Sequence, residues 1–306
     1  MSDSAAIVIT GASSGIGKAA AFRLAREGRP LVMVCREGAK ARAVHAEIVR
    51  ASGNPAVELE TADLSSQAQI REAAQSIRER HPEIAVLINN AGASFNHRRL
   101  SVDGIEMTFA VNHLAPFLLT NLLLDNLKAG APARVVTVAS DLQRPLRLDD
   151  LERNKSYKAY DVYGETKLAN ILFTFELARR LAGSRVTANA LAPGFLRTGL
   201  MRDARPVVRA FMSVAGVFMM ESADKGGARI VHAALAPGLA GTSGEFFVKN
   251  QPAKASAPAY DRALAAQLWA MSERLTGLAP SPGEQEAEAE RRQPGPPAPA
   301  PSGAHE

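Results

Sequence analysis

The sequence predicts an α/β protein in which one doubly wound parallel sheet of about seven strands carries helices on both faces. Three observations support this prediction. Short runs rich in β-branched residues alternate with stretches in which apolar residues recur at helical spacing. Most of the strand-like runs are apolar throughout, as expected when both faces of a sheet are covered. Alternation of this kind implies parallel strands joined by right-handed crossovers.

The predicted elements follow one another along most of the chain. Strands are expected at Ala6–Thr10, Pro30–Cys35, Ala56–Glu60, Ile84–Asn89, Arg134–Ala139, Val186–Leu191 and Gly244–Val248. Helices are expected at Gly17–Glu27, Ala39–Ala51, Gln67–Arg80, Gly104–Leu127, Tyr163–Leu181 and Ala223–Ala234.

Length and composition limit the class of protein. With 306 residues, 46% of them hydrophobic and 22% charged, the chain fits one large folded domain and is not disordered as a whole. The single cysteine, Cys35, excludes an intrachain disulfide and a zinc site built from paired cysteines. The net charge of +5 is modest and no basic run is interleaved with aromatics, so nucleic acid is not an expected partner.

Membrane insertion and export are not expected either. Residues Met1–Ala6 lack the basic-then-apolar layout of a signal peptide. No apolar run reaches the roughly 20 residues that a spanning helix needs. We therefore expect a cytoplasmic protein with no integral membrane segment.

Two segments fall outside the alternating pattern. Residues 279–306 contain seven of the 18 prolines and no Val, Ile, Leu or aromatic residue. Such a segment cannot bury enough apolar surface to offset the entropy of ordering it, so we predict a disordered tail at 279–306 after one domain at 1–278. Val207–Met220 is rich in Met, Phe and Val, and three interpretations stay open: a helix packed on the core, a lid over an apolar substrate, or a membrane-surface contact.

A glycine-rich turn joins the first predicted strand to the first predicted helix. Its sequence from Thr10 to Gly17 is TGASSGIG. Glycine permits a tight turn, lets the backbone approach a pyrophosphate and lets the helix pack closely on the strand. The helix N-terminus then offers unpaired N–H groups and a partial positive charge. The turn therefore predicts a nucleotide site, although packing alone is an alternative reason for glycine here.

The residues after the second and third strands bear on which nucleotide is bound. An acidic residue after the second strand would bind the 2′-hydroxyl of NAD, but this chain has Arg36 there. A guanidinium suits a 2′-phosphate by charge and geometry, which favours NADP over NAD; an ordinary surface arginine is the alternative. Asp63 follows the third strand, where it could accept a hydrogen bond from an adenine amino group or cap the next helix.

One tyrosine shares a helix face with a lysine. Among four tyrosines, only Tyr163 is followed four residues later by a lysine, Lys167. A nearby ammonium and the positive ring of an oxidised nicotinamide would lower the pKa of the phenol from about 10, which suits proton exchange with a carbonyl or alcohol oxygen. Ser140 closes a predicted strand, so its hydroxyl is expected at the ligand-binding edge. Asn112 lies among apolar neighbours and needs either a buried structural bond or an active-site water, whereas His113 is assigned no role.

Together these motifs resemble those of the short-chain dehydrogenase/reductase family over residues 5–276. In chain order, the matching residues are Thr10–Gly17, Asn89-Asn90-Ala91-Gly92, Asn112, Ser140, Tyr163 with Lys167, and Pro193-Gly194 with Thr198. Similarity at Phe109–Leu124, Tyr163–Leu181 and Leu268–Leu278 points to the retinol-dehydrogenase-like branch. The resemblance implies an NAD(P)-binding Rossmann-type domain at 1–278.

The resemblance also implies roles for single residues. Tyr163 would be the acid/base, Ser140 would orient the substrate oxygen, and Asn112 would anchor a water. Lys167 would hold the nicotinamide ribose and lower the pKa of Tyr163. The expected cofactor-binding residues are Gly11, Ser13, Ser14, Gly15, Ile16, Gly17, Arg36, Asp63, Leu64, Asn90, Ala91, Gly92, Tyr163, Lys167, Pro193, Gly194 and Thr198.

The implied function is that of an NADP(H)-dependent oxidoreductase that interconverts an alcohol and an aldehyde or ketone, small or lipophilic. In the branch it resembles, Cys35-Arg36 usually accompanies NADP, and many members carry an N-terminal membrane anchor that this sequence lacks. The alternative is a catalytically silent dinucleotide-binding sensor or scaffold. The expected partner is a small-molecule alcohol or carbonyl, and the oligomeric state, homo-oligomers included, is left open.

Overall fold

The computed structural model describes residues 4–194 and 222–278, and within them the strands form one eight-stranded sheet. The strand order is β3-β2-β1-β4-β5-β6-β7-β8, and every neighbouring pair is parallel except β7 with β8. The strands are β1 Ala6–Thr10, β2 Leu31–Cys35, β3 Val57–Thr61, β4 Ile84–Asn89, β5 Ala133–Val138, β6 Val186–Ala192, β7 Phe246–Val248 and β8 Gln251–Pro252. The predicted fold class is confirmed.

Helices cover both faces of this sheet. They are α1 Gly15–Ala25, α2 Ala39–Ser52, α3 Gln67–Arg80, α4 Met107–Phe109, α5 Ala115–Leu122, α6 Leu124–Ala129, α7 Ala159–Arg180, α8 Ala223–Leu235 and α9 Arg262–Thr276. Successive residues of β1 pack on opposite faces of the sheet. Ile7 and Ile9 belong to a core shared with α1, α2 and α8. Val8 packs in a second core with α3, α5, α7 and α9. In both described ranges, no helix is long and apolar enough to span a lipid bilayer.

Two elements were not predicted. Strand β8 has two residues, one of them Pro252, and pairs antiparallel at the edge of the sheet, where proline is tolerated. Helix α9 begins after Asp261, whose side chain accepts from the backbone N–H of Leu264, and it ends at Gly277 with φ +62. That N-cap and glycine C-cap are sequence signals by which this helix could have been found.

The predicted helix Gly104–Leu127 is wrong as one continuous helix. The helical segment starts only after Glu106, whose carboxylate accepts from the first free N–H groups of α4. A π turn at Ala110–Leu114 follows before α5 begins. Pro116 has no N–H for the carbonyl of Asn112 four residues earlier, and its ring would clash with that carbonyl, so a wide turn replaces the α-helical one.

The order of the strands positions the site. Strand β1 pairs with β2 on one side and with β4 on the other, so the chain crosses over in opposite directions from β1. Ligands of open α/β sheets bind at the carboxyl ends of the strands beside such a switch point. The residues directly after β1 and β4 are Gly11 and Asn90, and β5 is followed by Ala139 and Ser140. Thr198 and Val207–Met220 lie outside the described residues, as does the tail 279–306.

Candidate active site

The glycine turn is braced by the residues after β4. The side chain of Asn90 donates to the carbonyl of Thr10 at 2.7 Å and to that of Gly11 at 3.3 Å. The backbone N–H groups of Asn90 and Ala91 both donate to the Thr10 hydroxyl at 3.0 Å. The ends of the two switch-point strands are therefore fixed to each other.

A side chain would be strained at two glycines of this turn. Gly11 has φ +71, which favours glycine. A Cβ on Gly17 would lie 2.4 Å from both the carbonyl oxygen of Gly11 and the side-chain nitrogen of Asn90. The side chain of Ser14, the N-cap residue of α1, makes no capping bond. Helix α1 therefore packs directly against the turn. Because the Ser14 side chain makes no capping bond, no side chain caps the first N–H groups of α1.

The glycine turn also contacts the end of β2. The backbone N–H of Gly11 donates to the carbonyl of Val34 at 2.9 Å. Burial raises the pKa of the Cys35 thiol, and the nearby Ala12 and Ser13 partly oppose that rise. Ile16 is half-buried against the core cluster that contains α1. The turn is therefore also fastened to β2.

Arg36 and Asp63 occupy the edge beyond β2 and β3. Arg36 is exposed, and no acidic residue of the described ranges pairs with it. The Oδ1 atom of Asp63 accepts from the backbone and the hydroxyl of Ser65 at 2.9 and 2.8 Å. Helix α3 is instead capped by Ser66, so the helix-cap interpretation of Asp63 is wrong. Leu64 is half-buried against the core on the α3 side.

Asn112 lies in the π turn and is completely buried. Its Oδ1 atom accepts from the backbone N–H of Ala93 at 2.7 Å. Its Nδ2 atom donates to the carbonyl of Ala93 at 2.9 Å and to the hydroxyl of Thr166 at 3.0 Å. The amide therefore has its partners within the protein and links the loop after β4 to α7. Thr166 was not among the predicted site residues, although its position next to Lys167 was a signal.

Ser140, Tyr163 and Lys167 meet beside this amide. Ser140 lies close enough to the phenol of Tyr163 to lower its pKa, and its hydroxyl accepts from the backbone N–H of Leu142 at 3.0 Å. The Nζ atom of Lys167 lies 5.4 Å from the centroid of the Tyr163 ring and donates to the carbonyl of Val138 at 3.0 Å. A Cβ on Gly92 would lie 3.5 Å from that Nζ and 3.6 Å from Oδ1 of Asn112. The four predicted catalytic side chains thus surround one point at the carboxyl edge of β4 and β5.

Burial dominates the electrostatics of the pair. Tyr163 is half-buried by exposed area, but its hydroxyl is enclosed by protein, and burial raises the pKa of the phenol to about 12, partly opposed by the nearby Ser140. Burial also lowers the pKa of Lys167 to about 8. Burial therefore decides the pKa of the phenol in the cofactor-free protein, and its lowering by the ammonium together with an oxidised nicotinamide stays a prediction. The ammonium faces the ring, and the enclosed site disfavours the charged form of both groups.

The remaining predicted residues lie after β6. The carbonyl of Pro193 accepts from Arg229 of α8 at 2.6 Å, and Gly194 has φ +94. His113 is fully buried away from this edge, where one ring nitrogen lies 2.9 Å from the hydroxyl of Ser272. Burial lowers the pKa of His113 to about 3, so it is a neutral packed side chain.

A parallel sheet with a glycine turn at its switch point defines the class of Rossmann-type dinucleotide-binding proteins. The family model for short chain dehydrogenases matches residues 5–208. The chain belongs to this family, the short-chain dehydrogenases/reductases, and is an oxidoreductase that acts on CH–OH donors with NAD(P) as acceptor.

Individual relatives agree with the retinol-dehydrogenase-like branch. The chain is 41% identical to retinol dehydrogenase 13 of Homo sapiens, over 91% of this chain and 87% of that protein. It is 36% identical to human polyprenol dehydrogenase, over 89% and 84% of the two chains. A solved structure of an uncharacterized protein from Mycobacterium paratuberculosis is 34% identical with a TM-score of 0.71, and covers 89% of this chain and 93% of its own.

Proposed function

We propose that the protein is an NADP(H)-dependent oxidoreductase that interconverts a lipophilic alcohol and its aldehyde or ketone, with Tyr163 as the acid/base. One observation carries this proposal. Ser140 lies close enough to the phenol of Tyr163 to favour its ionised form, and the Tyr163 ring lies 5.4 Å from the ammonium of Lys167, all at the ligand-binding edge of the sheet.

The residues present fit a dinucleotide. Gly17 lets α1 approach the glycine turn closely, since a Cβ there would lie 2.4 Å from the carbonyl oxygen of Gly11. The N-terminus of α1, which no side chain caps, suits a pyrophosphate. Exposed Arg36 suits a 2′-phosphate, and Oδ2 of Asp63 has no partner among the described residues. When bound, the nicotinamide supplies or accepts the hydride. The proposed binding residues among those described are Gly11, Ser13, Ser14, Gly15, Ile16, Gly17, Arg36, Asp63, Leu64, Asn90, Ala91, Gly92, Tyr163, Lys167, Pro193 and Gly194.

The chain's own groups move the proton. With a pKa of about 12 the phenol of Tyr163 is protonated at neutral pH, so it is ready to donate to a carbonyl oxygen during reduction. The hydroxyl of Ser140 is placed to hydrogen-bond the same oxygen. For oxidation the phenolate must form, and the nearby ammonium of Lys167 favours it. Asn112 holds the loop after β4 against α7 and so fixes the wall beside Lys167.

Two relatives support a lipophilic substrate. Retinol dehydrogenase 13 and polyprenol dehydrogenase are named for long apolar alcohols. An alcohol of that kind is the substrate class we propose here. A cytoplasmic location stays a prediction from the sequence.

Tyr163→Phe tests the mechanism. The change keeps the ring but removes the transferable proton, so turnover of a retinoid aldehyde with NADPH should fall by roughly 10²–10⁴-fold. The dissociation constant of NADPH, measured by fluorescence titration, should stay close to that of the parent protein. The control is Tyr160→Phe on the same helix, whose side chain is exposed and outside the site.

Two outcomes would contradict the proposal. If Tyr163→Phe kept most of the parent activity, the acid/base role would be wrong. If the parent bound NADPH but turned over none of a panel of aldehydes, ketones and alcohols, the silent-binder alternative would replace the proposed function.

A further inference from the structure

Helix α7 carries a buried carboxylate that the proposed reaction does not use. The side chain of Glu165, two residues after Tyr163, is 3% exposed. Its Oε1 atom accepts from Nε and Nη2 of Arg147 at 3.2 and 3.1 Å. Its Oε2 atom pairs with Arg153, whose side chain is 2% exposed. Both arginines belong to the connection between β5 and α7, residues 139–158.

The segment between the two arginines is folded around this carboxylate. Arg153 has φ +58, a strained conformation for arginine, and donates to the carbonyl of Asp150 at 2.6 Å. Leu151 is buried in the core cluster that includes Leu168 of α7. Two charge pairs and one apolar side chain therefore attach residues 147–153 to α7.

A second loop is attached to the same segment. Arg98, in the loop after β4, donates to the carbonyl of Glu152 at 2.6 Å and to the side chain of Asn154 at 2.7 Å. The hydroxyl of Tyr157 donates to the carbonyl of Phe95 at 2.8 Å. Both loops leave the carboxyl edge of the sheet, from which Ser140 faces Tyr163. We call residues 95–98 and 147–157 the double loop.

We propose that Glu165 is a positioning residue that holds the double loop in the form that receives the alcohol or carbonyl substrate. This inference rests on the proposed function. Glu165 acts through Arg147 and Arg153 and does not touch the reacting groups. Because Tyr163 and Lys167 are borne by α7 itself, loss of this anchor affects substrate binding more than proton transfer.

The same helix offers a matched control. The side chain of Glu176 is also 3% exposed and also accepts from two arginines, Arg179 and Arg180, at 2.6–2.8 Å. These partners are on α7 itself and outside the double loop, and Arg180 also lies over the ring of Trp269 in α9 at 4.0 Å. Glu176→Gln therefore reproduces the loss of a buried ion-paired carboxylate at a position that does not pair with the double loop.

The experiment compares Glu165→Gln with Glu176→Gln in the full chain. For Glu165→Gln we expect the KM of a retinoid aldehyde to rise about tenfold, with kcat and the NADPH dissociation constant changed less than about twofold. Hydrogen exchange at residues 147–154 should accelerate. Glu176→Gln should leave all four quantities near the parent values. Because Glu165→Gln removes the carboxylate paired with the buried Arg153 and leaves it only Asp150 and Glu106 as acidic neighbours, the milder Arg147→Gln, at a side chain 40% exposed, is measured too and should raise KM about threefold.

The possible results separate this inference from the function on which it rests. Faster hydrogen exchange at residues 147–154 in Glu165→Gln with an unchanged KM would overturn the positioning role. An equal rise of KM in Glu165→Gln and Glu176→Gln would overturn it as well. If the parent turned over no substrate, the proposed function would fail. The exchange comparison, which needs no substrate, would then decide alone whether Glu165 anchors the double loop.

Discussion

Replacing Lys167 with methionine should change how the stability of the protein depends on pH. Burial lowers the pKa of Lys167 to about 8 in the folded chain, against 10.5 for an ordinary lysine. Between these values the unfolded chain binds the additional proton, so the free energy of unfolding of the parent rises with pH from about 8 to about 10.5. At 1.36 kcal/mol for each pKa unit, the rise due to this one group is about 3 kcal/mol.

The assay is urea unfolding of both proteins from pH 7 to pH 10.5 without added cofactor. Methionine has no proton to lose, so the variant lacks this contribution while the other titrating groups cancel in the comparison. The stability of the variant minus that of the parent should fall by about 3 kcal/mol from pH 7 to pH 10.5. Lys128→Met, at an exposed position of α6, is the control and should give a constant difference. A constant difference for Lys167→Met as well would refute the argument from burial.

Three further predictions concern the turn, the cofactor and the core. Gly17→Ala places a Cβ 2.4 Å from the carbonyl oxygen of Gly11, so the free energy of unfolding should fall by about 1–3 kcal/mol in thermal unfolding. The affinity for NADPH, measured by titration, should also weaken, and parent values for both quantities would contradict this prediction. The parent should bind NADPH at least about tenfold more tightly than NADH, and Arg36→Asp should abolish that preference. Titration of both proteins with both cofactors measures it, and an unchanged preference in the variant would contradict the role of Arg36. Trp269→Ala removes a buried ring 4.9 Å from that of Phe117 and should cost about 3–5 kcal/mol in urea unfolding, so a loss under 1 kcal/mol would show that α9 is not part of the core.

The fold was largely predictable because its signals are local. The apolar runs that became β1, β4 and β5 are buried along their whole length, which a sheet covered on both faces requires. The broken helix was not predictable in the same way. Apolar spacing over Gly104–Leu127 does not distinguish an α-helix from one interrupted by a π turn, and only Pro116 hinted at the interruption.

The site was predictable as a set of residues but not in its electrostatics. The spacing of Tyr163 and Lys167 implies a shared helix face, and the two side chains do meet. Sequence spacing contains no information on how deeply either group is enclosed, and that depth is what raises one pKa and lowers the other. The pairing of Glu165 with Arg153 was equally out of reach, since it depends on a left-handed backbone turn at an arginine.

The π turn also determines which insertions and deletions the chain can tolerate. Within it, Asn112 is directed to Ala93 and α7, while the adjacent His113 is directed to Ser272 of α9. A π turn contains one residue more than an α-helical turn, so removing one residue from Ala110–Leu114 can restore an α-helical path without a large rotation of α5 against α4. The contacts at stake are those made from the turn itself, because Asn112 and His113 reach different helices from adjacent positions of the widened turn. Removing one residue within α5, by contrast, would rotate the two sides of the gap by about 100° relative to each other. The π turn is therefore the place where this helical segment can absorb a change of length.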